Sequence, residues 1–313
     1  MNILVTGGAG FIGRWLIKRL LDEKNQVIAI DDLSNGRLEN ISEFRKNRKF
    51  KFLQGDIRNS NLIKKTFDYT YDAVYHLAAE INIQKSLDDP LQTFQKDVIG
   101  TFNILDECRK RMIKMIFMSS CMVYTQSQEL KGISETHSIK ATSPYAAAKL
   151  SGEFLTLSYY HSYDLPTVVL RPFNTYGPYQ KTTGEGGVVA IFSEKSITNQ
   201  PLLIYGTGEQ TRDLLFVEDC VDFILRAGST EKAKGEVFNA GTGKDVSINQ
   251  LATYFVDNLD RIQHIKHIHA QSEIMKLQCD YTKSRNFLNW KPTTSLAEGI
   301  KITKNWIAEQ IRS

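Results

Sequence analysis

The stretch that most restricts the fold is Gly7-Gly8-Ala9-Gly10-Phe11-Ile12-Gly13, which follows an apolar run over residues 2–6 and opens an amphipathic segment over 11–22. It satisfies two glycine spacings at once, Gly8-x-Gly10-x-x-Gly13 and Gly7-x-x-Gly10-x-x-Gly13. Side chains there would block a tight strand-to-helix turn. They would also keep a pyrophosphate from the helix N-terminus, where unpaired N–H groups and the dipole favour negative charge. The glycines gain weight from Asp31, which ends the next apolar run about 20 residues on, where ribose-hydroxyl recognition places an acid. An acid at that point repels a 2′-phosphate, so NAD is expected over NADP, although Arg37 is near enough in sequence to favour the reverse.

Around this turn the chain keeps one rhythm. Short apolar runs at 2–6, 26–31, 50–54, 73–76, 115–118 and 167–171 alternate with helix-like stretches at 11–22, 60–67, 89–110 and 144–163. That alternation is the signature of βαβ units, so the expected fold is α/β, a Rossmann-type doubly wound parallel sheet. The 89–110 stretch opens with Asp88-Asp89-Pro90, an Asx cap followed by proline in the first turn, where its missing N–H costs nothing. After Arg171 the text turns irregular, as in Arg171-Pro172-Phe173-Asn174-Thr175-Tyr176-Gly177-Pro178 and Thr182-Thr183-Gly184-Glu185-Gly186-Gly187. We expect a dinucleotide domain over 1–171, with a return strand and helix within 214–240, and a smaller mixed α/β substrate-binding domain drawn mainly from 172–313. The run Glu236-Val237-Phe238-Asn239 is the candidate return strand.

Composition removes several classes. With 313 residues, 42% apolar and 24% charged, the chain lies within the ordinary globular range. The 39 basic and 35 acidic side chains leave a net charge of +4, too little for the field of a dedicated nucleic-acid binder. The run Arg45-Lys46-Asn47-Arg48-Lys49 reads as a solvated loop. Cys108, Cys121, Cys220 and Cys279 form no CxxC pair and fit reduced thiols in the cytoplasm. Of His264, His267 and His269, only the last two share a strand face and no third ligand stands near, so no metal is expected. No run is long enough to span a bilayer, and neither a membrane nor a nucleic acid is expected as a partner.

The chemistry-bearing spacing is Tyr145-Ala146-Ala147-Ala148-Lys149, which puts a phenol and an ammonium on one helix face. A cation beside a phenol favours the phenolate and so makes a base. Tyr-x-x-x-Lys recurs by chance, and its force here is positional. It lies downstream of Met115-Ile116-Phe117-Met118-Ser119-Ser120, whose serines reach the ligand crevice at the carboxyl end of a strand. Ser120, Tyr145 and Lys149 therefore form a plausible acid–base set.

With these residues in view, the chain resembles the extended short-chain dehydrogenase/reductase family, specifically its NAD-dependent nucleotide-sugar epimerases and dehydratases. The likeness runs through Gly7 to Gly13, Asp31-Asp32-Leu33-Ser34-Asn35-Gly36, Gly55-Asp56-Ile57 and His76-Leu77-Ala78-Ala79. It continues through Ser119-Ser120 with Val123-Tyr124, Tyr145 with Lys149, Arg171-Pro172-Phe173-Asn174, and Tyr205-Gly206-Thr207-Gly208-Glu209-Gln210-Thr211-Arg212-Asp213. The resemblance implies that the cofactor meets Gly7, Gly10, Phe11, Ile12, Gly13, Asp31, Asp32, Asn35, Gly36, Asp56, Ile57, Leu77, Ala78, Ala79, Tyr145, Lys149 and Phe173. It implies that a nucleotide-sugar, expected to be a UDP-sugar, meets Ser120, Cys121, Met122, Asn174, Val188, Leu203, Tyr205, Arg212 and Leu277. The guanidinium of Arg212 suits a diphosphate physically, as a planar fork for phosphate oxygens. Leu277 falls where the 4-epimerases gate bulk at the sugar's second carbon. The resemblance also implies a homodimer through the 89–110 and 144–163 helices.

In that family a tyrosinate takes a sugar hydroxyl proton, the serine hydrogen-bonds the same oxygen, and hydride passes to NAD. Dehydratases carry an Asp-Glu pair directly after the serine or threonine, and decarboxylases usually keep the Glu. Here those places hold Cys121 and Met122. Methionine moves no protons, so C4 epimerisation is the simplest remaining chemistry. A thiol can act as acid or base, so an exo-glycal-forming 5,6-dehydratase using Cys121 is the alternative. A non-catalytic dinucleotide sensor is a third reading, against which the Tyr-Lys pair argues. Asp97 and Ile99 replace asparagines common near the cofactor, and Thr125 replaces a glycine after Tyr124. Ala270-Gln271-Ser272-Glu273-Ile274 stands where relatives have Arg-Pro-Gly-Glu, so a diphosphate arginine is missing there, with Lys276 or the nearby histidines as its substitutes.

Overall fold

A computed structural model describes residues 1–126, 132–183, 186–266 and 274–312. The chain divides into two compact units. The first comprises Met1–Val123, Lys140–Arg171 and Val221–Phe238. The second comprises Tyr124–Ile139, Pro172–Cys220 and Asn239–Ser313.

In the first unit the strands are β1 (Asn2–Thr6), β2 (Gln26–Asp31), β3 (Phe50–Gln54), β4 (Ala73–His76), β5 (Lys114–Met118) and β6 (Thr167–Pro172). Between them run α1 (Phe11–Asp22), α2 (Ser60–Thr66), α3 (Ile83–Asp88), α4 (Pro90–Phe94), α5 (Gly100–Arg111) and α6 (Pro144–Tyr163). Further along the chain come β7 (Asn174–Tyr176), α7 (Val188–Ile197), β8 (Leu202–Tyr205), β9 (Thr211–Phe216), α8 (Val217–Ser229) and β10 (Glu236–Ala240). The last of these is the return strand, for the main sheet has the order β10-β6-β5-β4-β1-β2-β3. The registers of β1 with β2 and β4, and of β5 with β4 and β6, are parallel. The expected doubly wound Rossmann sheet is present. Its core strands are apolar without alternation, as burial on both faces demands. Leu4, Val74, Met115 and Val169 are fully buried, packed with Ile104 and Leu105 of α5.

The continuous helix expected over 89–110 is broken. Asp89 caps α4 by accepting the Gln92 N–H at 3.0 Å, with Pro90 in the first turn. A π-helical turn, Gln95–Ile99, then separates α4 from α5. Each π turn inserts one residue, a change invisible in a 3.6-residue periodicity. The helix α3 was not foreseen either; Asn82 caps it through the Lys85 N–H at 2.7 Å.

In the second unit β9 is central, pairing β7, β11 (Asp245–Ser247) and β13 (Lys276–Leu277). The helices α9 (Ile248–Ala252), α10 (Thr282–Leu288) and α11 (Leu296–Arg312) and the strand β12 (Ile262–Ile265), which pairs β8, complete it. Residues 124–139 lie with this unit although they fall within the 1–171 span expected for the dinucleotide domain. The cause is local pairing: Tyr124 bridges Ile139, its hydroxyl donates to Asn239 Oδ1 at 2.7 Å, and Ile133 pairs with Cys279. Among the described residues no helix is long and apolar enough to cross a membrane.

Candidate active site

The turn after β1 tolerates little but glycine. Gly7 has φ +71°, and a Cβ there would lie 2.7 Å from the Ala78 nitrogen; one on Gly13 would lie 2.2 Å from the Gly7 oxygen. Gly10 begins α1 without a side-chain cap, which leaves the first N–H groups of a 12-residue helix for a ligand. Phe11 and Ile12 are the first two residues of that helix.

Asp31 binds this turn from within. Its Oδ2 accepts the Ala9 N–H at 3.0 Å and its Oδ1 the Leu33 N–H at 2.8 Å. Burial pushes its carboxyl up, and those two hydrogen bonds oppose the push. Asp32, more open, accepts the Ser34 N–H at 2.9 Å and faces Lys96 at 3.6 Å. Asn35 and Gly36 are half-buried beyond it. Against the upward push of partial burial, Arg58 holds the Asp56 carboxyl below its usual range. Ile57 is buried, and Leu77, Ala78 and Ala79 are half-buried past the end of β4. A glycine cradle, an uncapped helix start and an acid at the end of β2 fit a dinucleotide.

The reactive groups gather where β5 ends. Ser120 follows the strand, and Cys121 opens the short turn Cys121–Val123. Ser143 caps α6 through the Ala146 N–H at 3.2 Å with Pro144 in the first turn, which fixes Tyr145 and, one turn on, Lys149. The Ser120 hydroxyl faces the Tyr145 phenol. Burial drives the phenol well above its ordinary range; the Ser120 hydroxyl works against this, while Asp97 and Cys121 add to it. Lys149 donates to the Met118 carbonyl at 3.0 Å and lies 6.0 Å from the Tyr145 ring centroid. Burial lowers its ammonium, and Asp97 and Glu153 resist that. Cys121 is 2% exposed, and the Met122 N–H donates to Ser120 Oγ at 3.2 Å. This arrangement can exchange a proton with an alcohol oxygen presented to the phenol and the serine.

One part of the site went unforeseen. Ser119 donates to Glu153 Oε1, which also accepts Arg171 Nε at 2.8 Å, while Arg171 Nη2 reaches Oε2. The pair is 1% and 6% exposed and ties α6 to the ends of β5 and β6. Glu153 stands four residues after Lys149 on the same helix face, a spacing that could have drawn notice.

In the second unit Phe173 is buried against Tyr124, with ring centroids 6.5 Å apart. Asn174 begins β7, and its Oδ1 is buried without a hydrogen-bond partner among the described residues. Val188 is the first residue of α7, and Leu203 and Tyr205 on β8 are exposed. Arg212 on β9 donates to the Thr211 and Ile274 carbonyls, both at 2.8 Å. Leu277 is fully buried on β13, beside the half-buried Lys276. His264 faces Asn249 Oδ1 at 3.0 Å. His267, His269 and the 270–273 segment lie outside the described residues, as do Gly184 and Glu185.

A parallel sheet with a glycine cradle, and a Ser-Tyr-Lys set at the carboxyl end of the inner strand β5, define a dinucleotide-binding α/β enzyme architecture. The family described as GDP-mannose 4,6 dehydratase matches residues 4–303. The chain belongs to that family, among the extended short-chain dehydrogenases/reductases whose members include nucleotide-sugar epimerases and dehydratases. It is 36% identical over 305 residues to UDP-glucose 4-epimerase of Mycolicibacterium smegmatis, covering 97% of each chain. It is 32% identical to dTDP-D-glucose 4,6-dehydratase of Bos taurus, covering 100% of this chain and 90% of that one. Among solved structures, Pal from Bacillus thuringiensis superposes with TM-score 0.97 at 54% identity, covering 99% of this chain and 100% of that one. The UDP-glucose 4-epimerase of Thermotoga maritima, solved with UDP-glucose, gives 0.92 at 33%, covering 99% and 100%. The Thermus thermophilus UDP-glucose 4-epimerase complex with NAD gives 0.89 at 29%, covering 98% of each chain.

Proposed function

We propose that the protein is an NAD-dependent nucleotide-sugar 4-epimerase that works through a transient 4-keto sugar. The carrying observation is the Tyr145 phenol facing Ser120 with the Lys149 ammonium 6.0 Å from its ring centroid, and with Cys121 and Met122 next along the chain after Ser120 in place of carboxyl groups. Gly7, Gly10 and Gly13 would hold the pyrophosphate, Asp31 and Asp32 would face the ribose, and Ala78 and Ala79 would line the cofactor. When bound, NAD accepts a hydride from the sugar carbinol and returns it. Tyr145 takes the carbinol proton and gives it back, and Ser120 holds the same oxygen. Lys149 stabilises the phenolate by charge. Arg212, Asn174 and Tyr205 hold the nucleotide-sugar, with Val188, Leu203 and Leu277 bounding it. The named relatives support a UDP-sugar.

Incubation with UDP-glucose, UDP-N-acetylglucosamine and UDP-glucuronate, followed by NMR, tests the reading. A C4 epimer is expected; loss of water or CO2 with no epimer overturns it. The buried Cys121 thiol, near enough to act electrostatically on Tyr145, favours a second reading in which it serves a dehydration as acid or base. Epimerisation that survives Cys121→Ala unchanged removes that role.

The expected homodimer is supported by apolar side chains that stand open to solvent on α4, α5 and α6. Leu91 is 64% exposed, Phe154 59% and Phe102 42%. A monomer in sedimentation would contradict it. All four cysteines are buried thiols, in keeping with a reducing cytoplasm.

A further inference from the structure

In the sheet β1 lies between β4 and β2, so the loops that follow β2 and β4 stand on either side of the glycine turn. The π turn Gln95–Ile99 reaches both. Asp97 Oδ1 accepts the Glu80 N–H of the β4 loop at 2.7 Å. Beside it, Lys96 Nζ donates to Ser34 Oγ of the β2 loop at 2.8 Å and stands 3.6 Å from Asp32 Oδ2 and 3.9 Å from Glu80 Oε2. The Lys96 and Glu80 side chains are 10% and 6% exposed, so the ammonium has given up most of its water and depends on these oxygens. Single π turns are frequent at functional sites.

The β2 loop is fastened at both ends. Asp31 holds one through the Ala9 and Leu33 N–H groups. At the other, the Arg37 N–H and Asn40 Nδ2 donate to the Ala9 carbonyl at 3.1 and 2.8 Å. The crest between them is strained. Leu33 has φ +63°, a left-handed backbone that a bulky residue keeps only where its neighbours impose it. An ammonium can only donate, so Ser34 Oγ accepts from Lys96 and turns its own hydrogen to Asp32 Oδ1, 2.6 Å away. The relay from Lys96 through Ser34 to Asp32 crosses 62 residues of chain and anchors the crest from outside the loop.

We propose that Lys96 is a positioning residue for the dinucleotide: it braces the 31–36 loop through Ser34 and so keeps Asp31 and Asp32 in place for the ribose hydroxyls. The proposal rests on those two acids facing the ribose and is independent of which sugar reaction follows. Without the ammonium, Ser34 loses its anchor, Asp32 and Glu80 lose the cation they share, and Leu33 is released from the left-handed region. The cofactor must then order the loop as it binds, so it binds more weakly and leaves sooner.

The test uses the full chain loaded with NAD. It reads the rate at which NAD is lost on dilution and the deuterium exchange of the 31–37 amides. Lys96→Met keeps the apolar stem and removes the charge. It is expected to speed NAD loss by about 10-fold or more and to raise exchange over 31–37, with exchange in β5 and α6 unmoved. Ser34→Ala is expected to speed the loss by about threefold, and the double variant to lose NAD no faster than Lys96→Met, since both break one relay. Should the methionine variant fail to fold, Ser34→Ala, which alters an exposed side chain, carries the test alone. NAD loss within about twofold of wild type in these variants, or faster loss with 31–37 exchange unmoved, overturns the proposal. If NAD fails to slow 31–37 exchange in the wild-type protein, the ribose reading of Asp31 and Asp32 falls and takes the proposal with it. If NAD does slow it and both variants leave both readouts unmoved, the proposal alone falls.

Discussion

Two buried aspartates, one in each compact unit, hold the same group in opposite ways. Asp97 and Asp213 are 2% and 0% exposed, and burial pushes each up to about 6. Asp213 gathers the Thr242 N–H and hydroxyl on Oδ1, both at 2.7 Å, and the Gly243 and Cys279 N–H groups on Oδ2 at 2.9 and 3.0 Å. Both its oxygens are saturated, and the carboxylate ties β9 to the turn after β10 and to Cys279. Asp97 takes a single backbone donor and keeps an open oxygen. Burial and a displaced titration do not by themselves separate a saturated carboxylate from one with an oxygen left open. Counting donors does.

The largest effect expected lies at Tyr145, in the same unit as Asp97. Tyr145→Phe should lower kcat by roughly 10²–10⁴-fold while the fold is retained, since it removes the proton acceptor and little volume. Circular dichroism and the NMR assay together check this; near-normal turnover would remove Tyr145 as the base. Next, Asp213→Asn turns an amide NH2 toward backbone donors and should destabilise by about 2–3 kcal/mol in urea unfolding, against less than about 1 kcal/mol for Asp97→Asn. Equal losses would collapse the contrast.

The smallest effect concerns pH. A carboxyl raised from 3.8 to about 6 contributes fully below pH 3.8, where both states are protonated. That contribution fades as pH rises from 3.8 through 6, because the unfolded chain ionises first. Wild type should therefore lose stability relative to Asp97→Asn between pH 4 and 7, by on the order of 2 kcal/mol. Melts at several pH values measure it, and parallel curves for the two proteins would show that Asp97 does not titrate there.

Much of the first unit was legible in the sequence because its signals are local. The glycine turn, Asp31 at the end of β2, and Tyr145 with Lys149 one turn apart all lie within short windows, and the strands are uniform apolar runs. What escaped reading depends on distant partners. Glu153 and Arg171 meet across 18 residues of chain, and the donors of Asp213 come from 29 to 66 residues away. No periodicity records such pairs. The π turn escaped for the opposite reason, since one inserted residue leaves the apolar rhythm of 89–110 nearly intact. Asp97 itself was visible as a departure from the family pattern, but its open oxygen was not.

The return strand β10 bears on how this chain can be divided. All six residues of β6 are buried, and β10 borders it in the sheet. A fragment ending at Arg171 would carry the glycine turn and every reactive group, yet its last strand would be a naked, apolar sheet edge. Such edges recruit other chains. Expression of the nucleotide-binding half alone should therefore yield aggregates, and a soluble version needs residues 221–240 grafted back beside β6.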